Sequence, residues 1–429
     1  MAIDYKSSIE DLSRYESNSE NYEVLHSLPR EVKFCRNCVI SNQRPSSTVE
    51  YKKTKQTKQK TIGFDDQSTC DACRYNEIKE RQIDWGSREN LLVELLNRHR
   101  RNDASYDVIV PGSGGKDSAY TAHVLKYKYG MNPLTVTWAP HKYTEIGWKN
   151  FENWIHVGGM DNILFTPNGR LHRYLTRQAF LNLLHPFQPF IVGQRIIGPL
   201  IAEKFGVKLV MYGENQAEYG NNPKENFKPI MDRGFFSVEN PEEMVLGGLK
   251  VKDIITDGEY TLNDFTPYIP PSAEALEHKG INVHYLGFYH KWDPQECYYY
   301  AVENTSFQAN SERTEGTYSK YSSIDDRIDM FHYYTTLIKF GIGRATYDAA
   351  QEIRNKKITR EEGVQLVHKY DEEFPKKYFK EFLKYISLNE DEFYSVIDRF
   401  RSPHLWTRDK GEWVLRHAVW HEGGGVQRK

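Results

Sequence analysis

The sequence has no long apolar run. No stretch of its 429 residues approaches the roughly eighteen apolar residues of a membrane span. The N-terminus, MAIDYKSSIEDLSRYE, also lacks the apolar segment of a secretory signal peptide. The charge is nearly balanced, with 57 Lys and Arg against 59 Asp and Glu, so there is no basic surplus for wrapping nucleic acid. We therefore expect a soluble, cytoplasmic protein that binds neither membranes nor nucleic acid.

Cysteine is scarce, and four of the five cysteines form two CxxC pairs: Cys35 with Cys38, and Cys70 with Cys73. Two such knuckles can complete the tetrahedral thiolate shell that Zn2+ prefers, so we expect a closed structural zinc site. The polar stretch KKTKQTKQK between the pairs is expected to be a flexible insertion. The alternatives are two disulfides, disfavoured in a reducing compartment, and a redox CxxC, for which a thioredoxin-like context is missing.

The fifth cysteine does not have the surroundings of a nucleophile. Cys297 lies beside aromatic residues in QECYYY and has no glycine neighbours of a nucleophile elbow. Position 2 is Ala, where N-terminal-nucleophile glutaminases have Cys. We predict that Cys297 is a buried, small apolar residue and that the chain contains no glutaminase of its own.

A glycine-rich loop, SGGKDS at residues 113–118, follows the apolar run 106–110 and opens a helix-like segment at 116–129. Unpaired amides and the positive end of a helix dipole make such a turn a phosphate site. A Walker A loop would need Gly in place of Val110 and Ser or Thr in place of Asp117. A dinucleotide fingerprint would need a small residue at position 117. Both of these nucleotide loops are therefore excluded.

The loop resembles the SGGxDS signature of the PP-loop ATP pyrophosphatases, which split ATP between the α and β phosphates. The resemblance implies ATP as a substrate and makes Asp117 a candidate contact to Mg2+ or to the loop backbone. It assigns the pyrophosphate portion to Ser113, Gly114, Gly115, Lys116 and Ser118. The alternative is an ordinary glycine-rich turn between a strand and a helix.

Strand-like and helix-like segments alternate after residue 105. Strands are expected at 106–111, 134–138, 162–165 and 208–212, with helices between them. This pattern predicts an α/β fold with a doubly wound, mainly parallel sheet. Ligands of such sheets bind beyond the carboxyl ends of the strands, so the loops after these strands should form one rim.

Two loops of this rim contain candidate ligand contacts. Trp138 ends the second strand, where the resemblance implies an adenine pocket; core packing is the alternative. The loop after the fourth strand contains Gly213, Glu214 and Glu218, at a place where PP-loop enzymes keep a glycine and acidic residues. Glu214 and Glu218 would share one face of a helical turn and could hold Mg2+ between them. A solvated acidic loop is the alternative.

Two later segments are expected at the same rim. Residues 221–280 are rich in proline and are predicted to be an irregular insertion of the lid or acceptor-binding type. Lys320 lies in the polar segment 315–323 and could swing onto the phosphates, although a surface lysine is the default.

The pattern from residue 323 onward is helical. Capping boxes, Thr359 with Glu362 and Asn389 with Glu392, predict two helix starts. The acidic run 371–373 is expected to be a solvated face. The predicted parts are an N-terminal extension at 1–33, a zinc module at 34–88, an ATP-binding domain at 89–322 with the insertion at 221–280, and a helical region at 323–429.

The order of these motifs, two CxxC knuckles, SGGKDS, TWAP, GEN and GTYSKYSSIDD, is similar to that of the N-acetyl sugar amidotransferases of the WbpG and PseA type. The resemblance covers about residues 34–380. It implies a PP-loop, HUP-like nucleotide domain and conversion of the acetamido group of a nucleotide-linked sugar to an acetamidino group, in bacterial surface-polysaccharide (O-antigen) biosynthesis. The catalytic residues that we expect on this basis are Lys116, Asp117, Glu214 and Lys320.

The same resemblance implies a HisH-like glutaminase and a HisF-like ammonia-channel subunit as partners, because the chain has no glutaminase nucleophile. An alternative is a PP-loop tRNA-modifying enzyme, similar to thiolases or lysidine synthetase. The balanced charge and the lack of a basic, aromatic-interleaved tail argue against it. A zinc scaffold with an inactive nucleotide loop is a third reading, and the intact SGGKDS motif argues against that.

Overall fold

The structure, a computed structural model, describes residues 12–16, 22–220 and 227–421. None of the helices in these ranges has the length and apolar character needed to span a bilayer. In chain order the strands are β1 (Val108–Pro111), β2 (Pro133–Trp138), β3 (Asp161–Phe165), β4 (Leu209–Tyr212), β5 (Val245–Leu246), β6 (Leu249–Lys250), β7 (Asn282–Tyr285), β8 (Trp406–Asp409) and β9 (Glu412–Leu415).

The helices differ widely in length and surround the strands. In chain order they are α1 (Ser13–Glu16), α2 (Asp71–Arg81), α3 (Trp85–His99), α4 (Lys116–His123), α5 (Glu145–His156), α6 (Gly169–Leu183), α7 (Gln188–Phe205), α8 (Val251–Thr256), α9 (Ala273–His278), α10 (Leu286–Tyr289), α11 (Pro294–Thr305), α12 (Asp329–Phe340), α13 (Arg344–Arg354), α14 (Arg360–Tyr370), α15 (Phe379–Ile386) and α16 (Glu390–Arg399).

The central sheet has five parallel strands in the order β3-β2-β1-β4-β7. Ile109 of β1 lies opposite Leu134 on one side and Val210 on the other. Helices pack against the sheet, and the strand β1 is buried, as expected for a parallel sheet covered on both faces. The strand order reverses direction at β1, so a crevice forms beyond the carboxyl end of this strand. The predicted doubly wound α/β fold is confirmed.

One predicted element of this part of the chain ends earlier than expected. The helix expected at 116–129 is regular only in α4 and continues as a π-helical turn, Val124–Lys128. In the apolar run 281–289, β7 ends at Tyr285 and α10 follows. The amide of Gly287 donates to the carbonyl of Gly213 at 2.8 Å, and this bond turns the chain across the loop after β4.

The C-terminal region is helical from α12 to α16, and both predicted capping boxes are confirmed. The hairpin of β8 and β9 that follows was not predicted. The prediction of a solvated acidic face is wrong for Asp371, which is buried and accepts hydrogen bonds from the amides of Gly343 and Thr346 at 2.8 Å each. Asp371 therefore caps the start of α13.

The N-terminal part of the chain packs against the C-terminal part. Of the N-terminal extension expected at residues 1–33, α1 covers residues 13–16, and residues 1–11 lie outside the described ranges. The four cysteines of the CxxC pairs form a buried cluster with Val419 and Trp420, near the end of the described chain. Arg360 of α14 donates to the carbonyls of Cys35 and Cys38. The cysteine module therefore packs against the C-terminal region.

Candidate active site

The SGGKDS loop lies in the crevice beyond β1, where it leads directly into α4. Gly114 has φ of +80°, and a Cβ there would lie 2.8 Å from the Cα of Phe151, so the loop needs glycine at this close approach to α5. Gly115 is the N-cap, and its carbonyl accepts the first helical bond, from Ala119 at 2.9 Å. The preceding amides of α4 have no helical acceptor and are available to an anion.

The side chains of the loop are oriented by short contacts. Ser118 Oγ donates to the Gly115 carbonyl at 3.0 Å, and Ser113 Oγ donates to Asp325 Oδ2 at 2.9 Å. Lys116 Nζ forms an ion pair with Asp117. Burial alone would lower the pKa of Lys116, but the charges of Asp117 and Glu214 outweigh it and raise this pKa. Lys116 therefore stays charged at neutral pH.

A cavity of about 190 Å³ opens over the loop. Its floor is the backbone of residues 113–117, and its other walls include Asn150, the segment 322–325 and Arg344. Helix-start amides, Lys116 and Arg344 are groups of the kind that bind phosphates, and Asp117 and Asp325 line the same cavity.

A second cavity, of about 140 Å³, adjoins the first, and both are lined by Lys116, Asp117 and Arg344. Its remaining walls are rich in carboxylates and tyrosines. They include Glu214, Asp293, Asp348, Glu352, Tyr219, Tyr321, Tyr333 and Tyr347. Two compartments, one with phosphate-binding groups and one acidic and aromatic, thus meet at the same three charged residues.

Asp117 and Glu214 are suited to a divalent cation. The Oδ1 atom of Asp117 is buried without a hydrogen-bond partner in the described part of the chain. Burial and the charge of Asp117 raise the pKa of Glu214 to about 7, although Lys116 opposes this shift. A cation between the two carboxylates would remove their repulsion and use the unpaired oxygen. These residues fit Mg2+.

Glu218 does not join this pair. Both of its oxygens accept from Lys79 Nζ, at 3.0 and 2.9 Å, in a fully buried ion pair, and Lys79 also donates to the Trp292 carbonyl at 2.9 Å. The residues 216–219 form a short 3₁₀ turn, so Glu218 turns away from Glu214 toward α2. Gly213 lies where β4 leaves the sheet, and a Cβ there would lie 2.8 Å from Thr121 Oγ1 of α4.

Trp138 and Lys320 also lie away from the two cavities. Trp138 is buried, stacks on Phe165 with ring centroids 5.3 Å apart, and fills the space left by Gly193 of α7, where a Cβ would lie 2.1 Å from its ring. It therefore packs in the core. Lys320 is exposed and donates to the Ser311 carbonyl at 3.0 Å, because residues 310–320 form a turn of their own.

Several site residues were missed by the sequence reasoning. Asp325 reaches the loop from the segment before α12, and burial together with the charge of Asp326 raises the pKa of Asp325. Helix α13 faces the second cavity with residues four apart: Arg344, Asp348 and Glu352. This spacing marks one polar face of a helix and was visible in the sequence. The sequence does not reveal that this polar face of α13 is turned toward the SGGKDS loop.

The four cysteine sulfurs lie within 4.8 Å of one another, with Cys35 and Cys73 at 3.8 Å and Cys38 and Cys70 at 3.8 Å. Zn–S bonds of about 2.3 Å in a tetrahedron separate sulfurs by about 3.8 Å. The cluster therefore fits one zinc ion with all four positions filled, and this ion would have a structural role.

Residues 315–419 match the family described as LPS biosynthesis protein WbpG-like, C-terminal domain. This match includes α12 to α16 and thus the helix that carries Arg344 and Asp348. The resemblance to proteins of the WbpG type is confirmed over residues 315–419. No curated protein matches the chain.

Solved structures give only distant similarity. The NH3-dependent NAD synthetase of Campylobacter jejuni has 15% identity over 30% of this chain, with a TM-score of 0.24, and the match spans 56% of the synthetase. The NMN synthetase of Francisella tularensis has 15% identity, a TM-score of 0.23 and coverage of 49% of this chain and 94% of its own. The U34-tRNA thiolase NcsA of Methanococcus maripaludis, with its [4Fe-4S] cluster, has 10% identity, a TM-score of 0.29 and coverage of 74% and 88%. At these TM-scores the superpositions assign no activity.

Proposed function

We propose that the protein is an ATP-dependent amidotransferase, which converts the acetamido group of a nucleotide-linked N-acetyl sugar to an acetamidino group in bacterial surface-polysaccharide synthesis. The observation that carries the proposal is the shared boundary of the two cavities. Lys116 and Asp117 of the SGGKDS loop and Arg344 of the WbpG-like domain line both. ATP phosphates in one cavity would thus meet an acceptor in the other.

The loop residues would bind the pyrophosphate portion of ATP. The helix-start amides and Lys116 supply positive charge, and Ser113 and Ser118 supply hydroxyl groups at its edge. Asp117 and Glu214 would hold Mg2+, which, when bound, neutralises charge on the phosphate oxygens. The carboxylates and tyrosines of the second cavity are the groups that hydrogen-bond sugar hydroxyls.

The proposed reaction balances with ammonia as the nitrogen donor. The acetamido oxygen attacks the α-phosphorus of ATP, the bond between this phosphorus and the β-phosphate oxygen breaks, and pyrophosphate leaves with the bonding electrons. Ammonia then adds to the activated carbon and loses a proton, and AMP leaves with the acetamido oxygen. The products are the amidine, AMP and pyrophosphate. The protein's contribution is to position the reactants and to stabilise the charge of the leaving group.

Ammonia would come from a HisH-like glutaminase through a HisF-like subunit. Cys297 is buried in α11 against α4, and burial raises the pKa of its thiol well above the usual value. A thiol in this state is a poor nucleophile, which supports a separate source of ammonia.

The alternative of a tRNA-modifying enzyme has less support from the site. The cysteine sulfurs are spaced for a single ion, whereas an iron–sulfur cluster binds its cysteines on different irons and needs more room between them, which argues against an iron–sulfur thiolase. The balanced charge argues against the other tRNA-modifying enzymes. The zinc ion would hold the knuckles against the WbpG-like domain.

The test is release of pyrophosphate from ATP and Mg2+ with ammonia and a panel of nucleotide-linked N-acetyl sugars. With an 18O-labelled acetamido group, the label should appear in AMP, because the proposed attack makes that oxygen part of AMP. Lys116→Ala should lose activity by at least about 100-fold, since it removes charge beside the leaving group, while zinc content stays the same.

A matched control is Lys369→Ala, which removes an exposed lysine of α14 and should leave the rate unchanged. Formation of ADP in place of AMP, or unlabelled AMP, would contradict the proposal. Salt-sensitive binding of bulk tRNA together with tRNA-dependent pyrophosphate release would favour the tRNA-modifying alternative.

A further inference from the structure

Arg344 lies at the boundary between the two cavities. It is the first residue of α13, it lies within the WbpG-like domain, and its side chain lines both the cavity over the loop and the acidic cavity. Among the cations that line these cavities, only Lys116 shares this property. The junction of the cavities is where an acceptor would meet the phosphates of ATP.

The guanidinium of Arg344 is held rigidly on two sides. Its Nε donates to Asp348, with the carboxylate oxygens at 3.0 and 3.2 Å, and its Cζ lies 4.3 Å from the ring centroid of Tyr333. Asp348 is itself fixed by Thr317, whose hydroxyl donates to it at 2.7 Å. The side chain therefore has one orientation in the absence of any ligand.

The outer edge of the same guanidinium has no hydrogen-bond partner among the described residues, although the carboxylates of Asp325 and Asp329 lie near enough to interact with its charge. Neither terminal nitrogen donates a hydrogen bond to any residue of the described ranges, although the side chain is only 17% exposed. Four N–H groups on a planar fork thus remain for a ligand, in the geometry that suits two phosphate oxygens.

The dipole of α13 does not account for the placement of Arg344, although its ion pair with Asp348, four residues on, supports the helix. A cation at the first position of an α-helix lies at the positive end of the dipole, where it is unfavourable. The start of α13 is already capped by Asp371, so Arg344 adds no capping bond. Together with the fixed orientation and the unpartnered edge, this points to a role in binding an anion.

We infer that Arg344 is a catalytic residue whose guanidinium binds the α-phosphate of ATP and stabilises the charge that develops as pyrophosphate leaves. The inference rests on the proposed function and names the group that the WbpG-like domain adds to the nucleotide site. Arg344 takes the part that the sequence reasoning gave to Lys320, which lies on an exposed turn. Lys116 acts from the loop side and Arg344 from the opposite wall, so the α-phosphorus lies between two cations.

The test compares steady-state kinetics of the full chain and of Arg344→Lys, Arg344→Gln and Arg344→Ala, with ammonia and an accepted sugar. We expect kcat to fall by about 10²- to 10³-fold in the Gln and Ala variants, because a charge aimed at the transition state is lost. The KM for ATP should change by less than about tenfold, since the loop binds the ground state. The Lys variant keeps the charge without the fork and should be intermediate.

Two further measurements separate catalysis from folding. Guanidinium ion should partly restore kcat of Arg344→Ala, whereas sodium at the same ionic strength should not, because only guanidinium refills the space above Tyr333. Affinity for a non-hydrolysable ATP analogue should stay within about tenfold of wild type, and zinc content should match wild type, in any variant that folds. Arg399→Ala, which removes an exposed arginine of α16, is the matched control and should keep the wild-type kcat.

The two proposals fail in different ways. If wild type makes amidine and AMP but folded Arg344→Gln stays within about threefold of its kcat, the inference about Arg344 is wrong and the proposed function stands. If Arg344→Gln loses only ATP affinity, Arg344 is a binding residue and the inference is likewise overturned. If wild type releases no pyrophosphate with any sugar, the proposed function itself fails.

Discussion

The buried ion pair of Lys79 and Glu218 should be one of the strongest single determinants of stability near the site. Lys79 has an exposed fraction of zero and Glu218 of 3%, and the ammonium donates to both carboxylate oxygens and to the Trp292 carbonyl. The pair joins α2 of the cysteine module to the loop after β4 and to the segment before α11. Lys79→Met would leave the buried carboxylate without its ammonium partner and the Trp292 carbonyl without this donor.

The expected cost follows from this geometry. Removing one partner of a buried pair costs about 3–5 kcal/mol in the free energy of unfolding, because the remaining charge is uncompensated. Replacing both, with Lys79→Met and Glu218→Leu, removes the stranded charge, so the double variant should lose less than the sum of the two single variants. The coupling energy of the cycle should be at least about 2 kcal/mol.

The assay is equilibrium unfolding in urea, followed by tryptophan fluorescence and far-UV circular dichroism. Glu77→Ala on the same helix removes an exposed carboxylate and should change the free energy of unfolding by less than about 0.5 kcal/mol. A cost below about 1 kcal/mol for Lys79→Met, or single-variant costs that simply add, would refute the reasoning. Since Lys79 occupies both oxygens of Glu218, the double variant should bind Mg2+ like wild type.

Three further outcomes are expected. Zinc analysis should give one ion per chain, and Cys35→Ser should lose the ion and expose Trp420 to fluorescence quenchers, whereas Cys297→Ser should keep both properties. Mg2+ affinity should fall as pH drops through 7, because protonation of Glu214, whose pKa is about 7, removes a ligand. Glu214→Gln should weaken Mg2+ binding and abolish this pH dependence between about pH 6 and 8. A wild-type Mg2+ affinity that does not change with pH would contradict the assignment of Glu214 as a ligand. Gly193→Val should destabilise the fold by at least about 2 kcal/mol in urea unfolding, because its side chain would overlap the Trp138 ring, and a neutral result would place Trp138 elsewhere.

The features that the sequence predicts correctly are local ones. The apolar run before SGGKDS, the glycines of the loop and the helix behind it lie within about twenty residues, so their pattern specifies a strand, a turn and a helix start. The CxxC pairs are equally local, since each knuckle needs only its own four residues. The CxxC pattern led to the metal site, and the alternation of such strand and helix segments after residue 105 led to the fold class.

The residues that were misplaced depend on contacts far along the chain. Whether Trp138 faces a ligand or the core is decided by Gly193, which clears space for its ring. Whether Lys320 or Arg344 faces the loop is decided by how the WbpG-like domain packs on the sheet. The residues next to Trp138, Lys320 and Arg344 in the sequence do not indicate either of these long-range contacts.

The hairpin of β8 and β9 is a different case, because its signal was present and was missed. The two strands are joined by a two-residue turn, Lys410 and Gly411, between the paired residues Asp409 and Glu412. Both turn residues have positive φ, 49° for Lys410 and 88° for Gly411. This is the turn that suits the twist of a hairpin. The surrounding helical pattern concealed it.

The packing of the cysteine knuckles against Val419 and Trp420 has a consequence for how the protein is made. The knuckles at residues 35–73 leave the ribosome well before residues 419 and 420, which cover them. Until then one side of the thiolate cluster is open to solvent, to oxidants and to competing metals. A chain that is still being translated, or one truncated before residue 419, should therefore be far more sensitive to metal supply than the folded protein, and such a truncation should damage the cysteine module more than 300 residues earlier in the sequence.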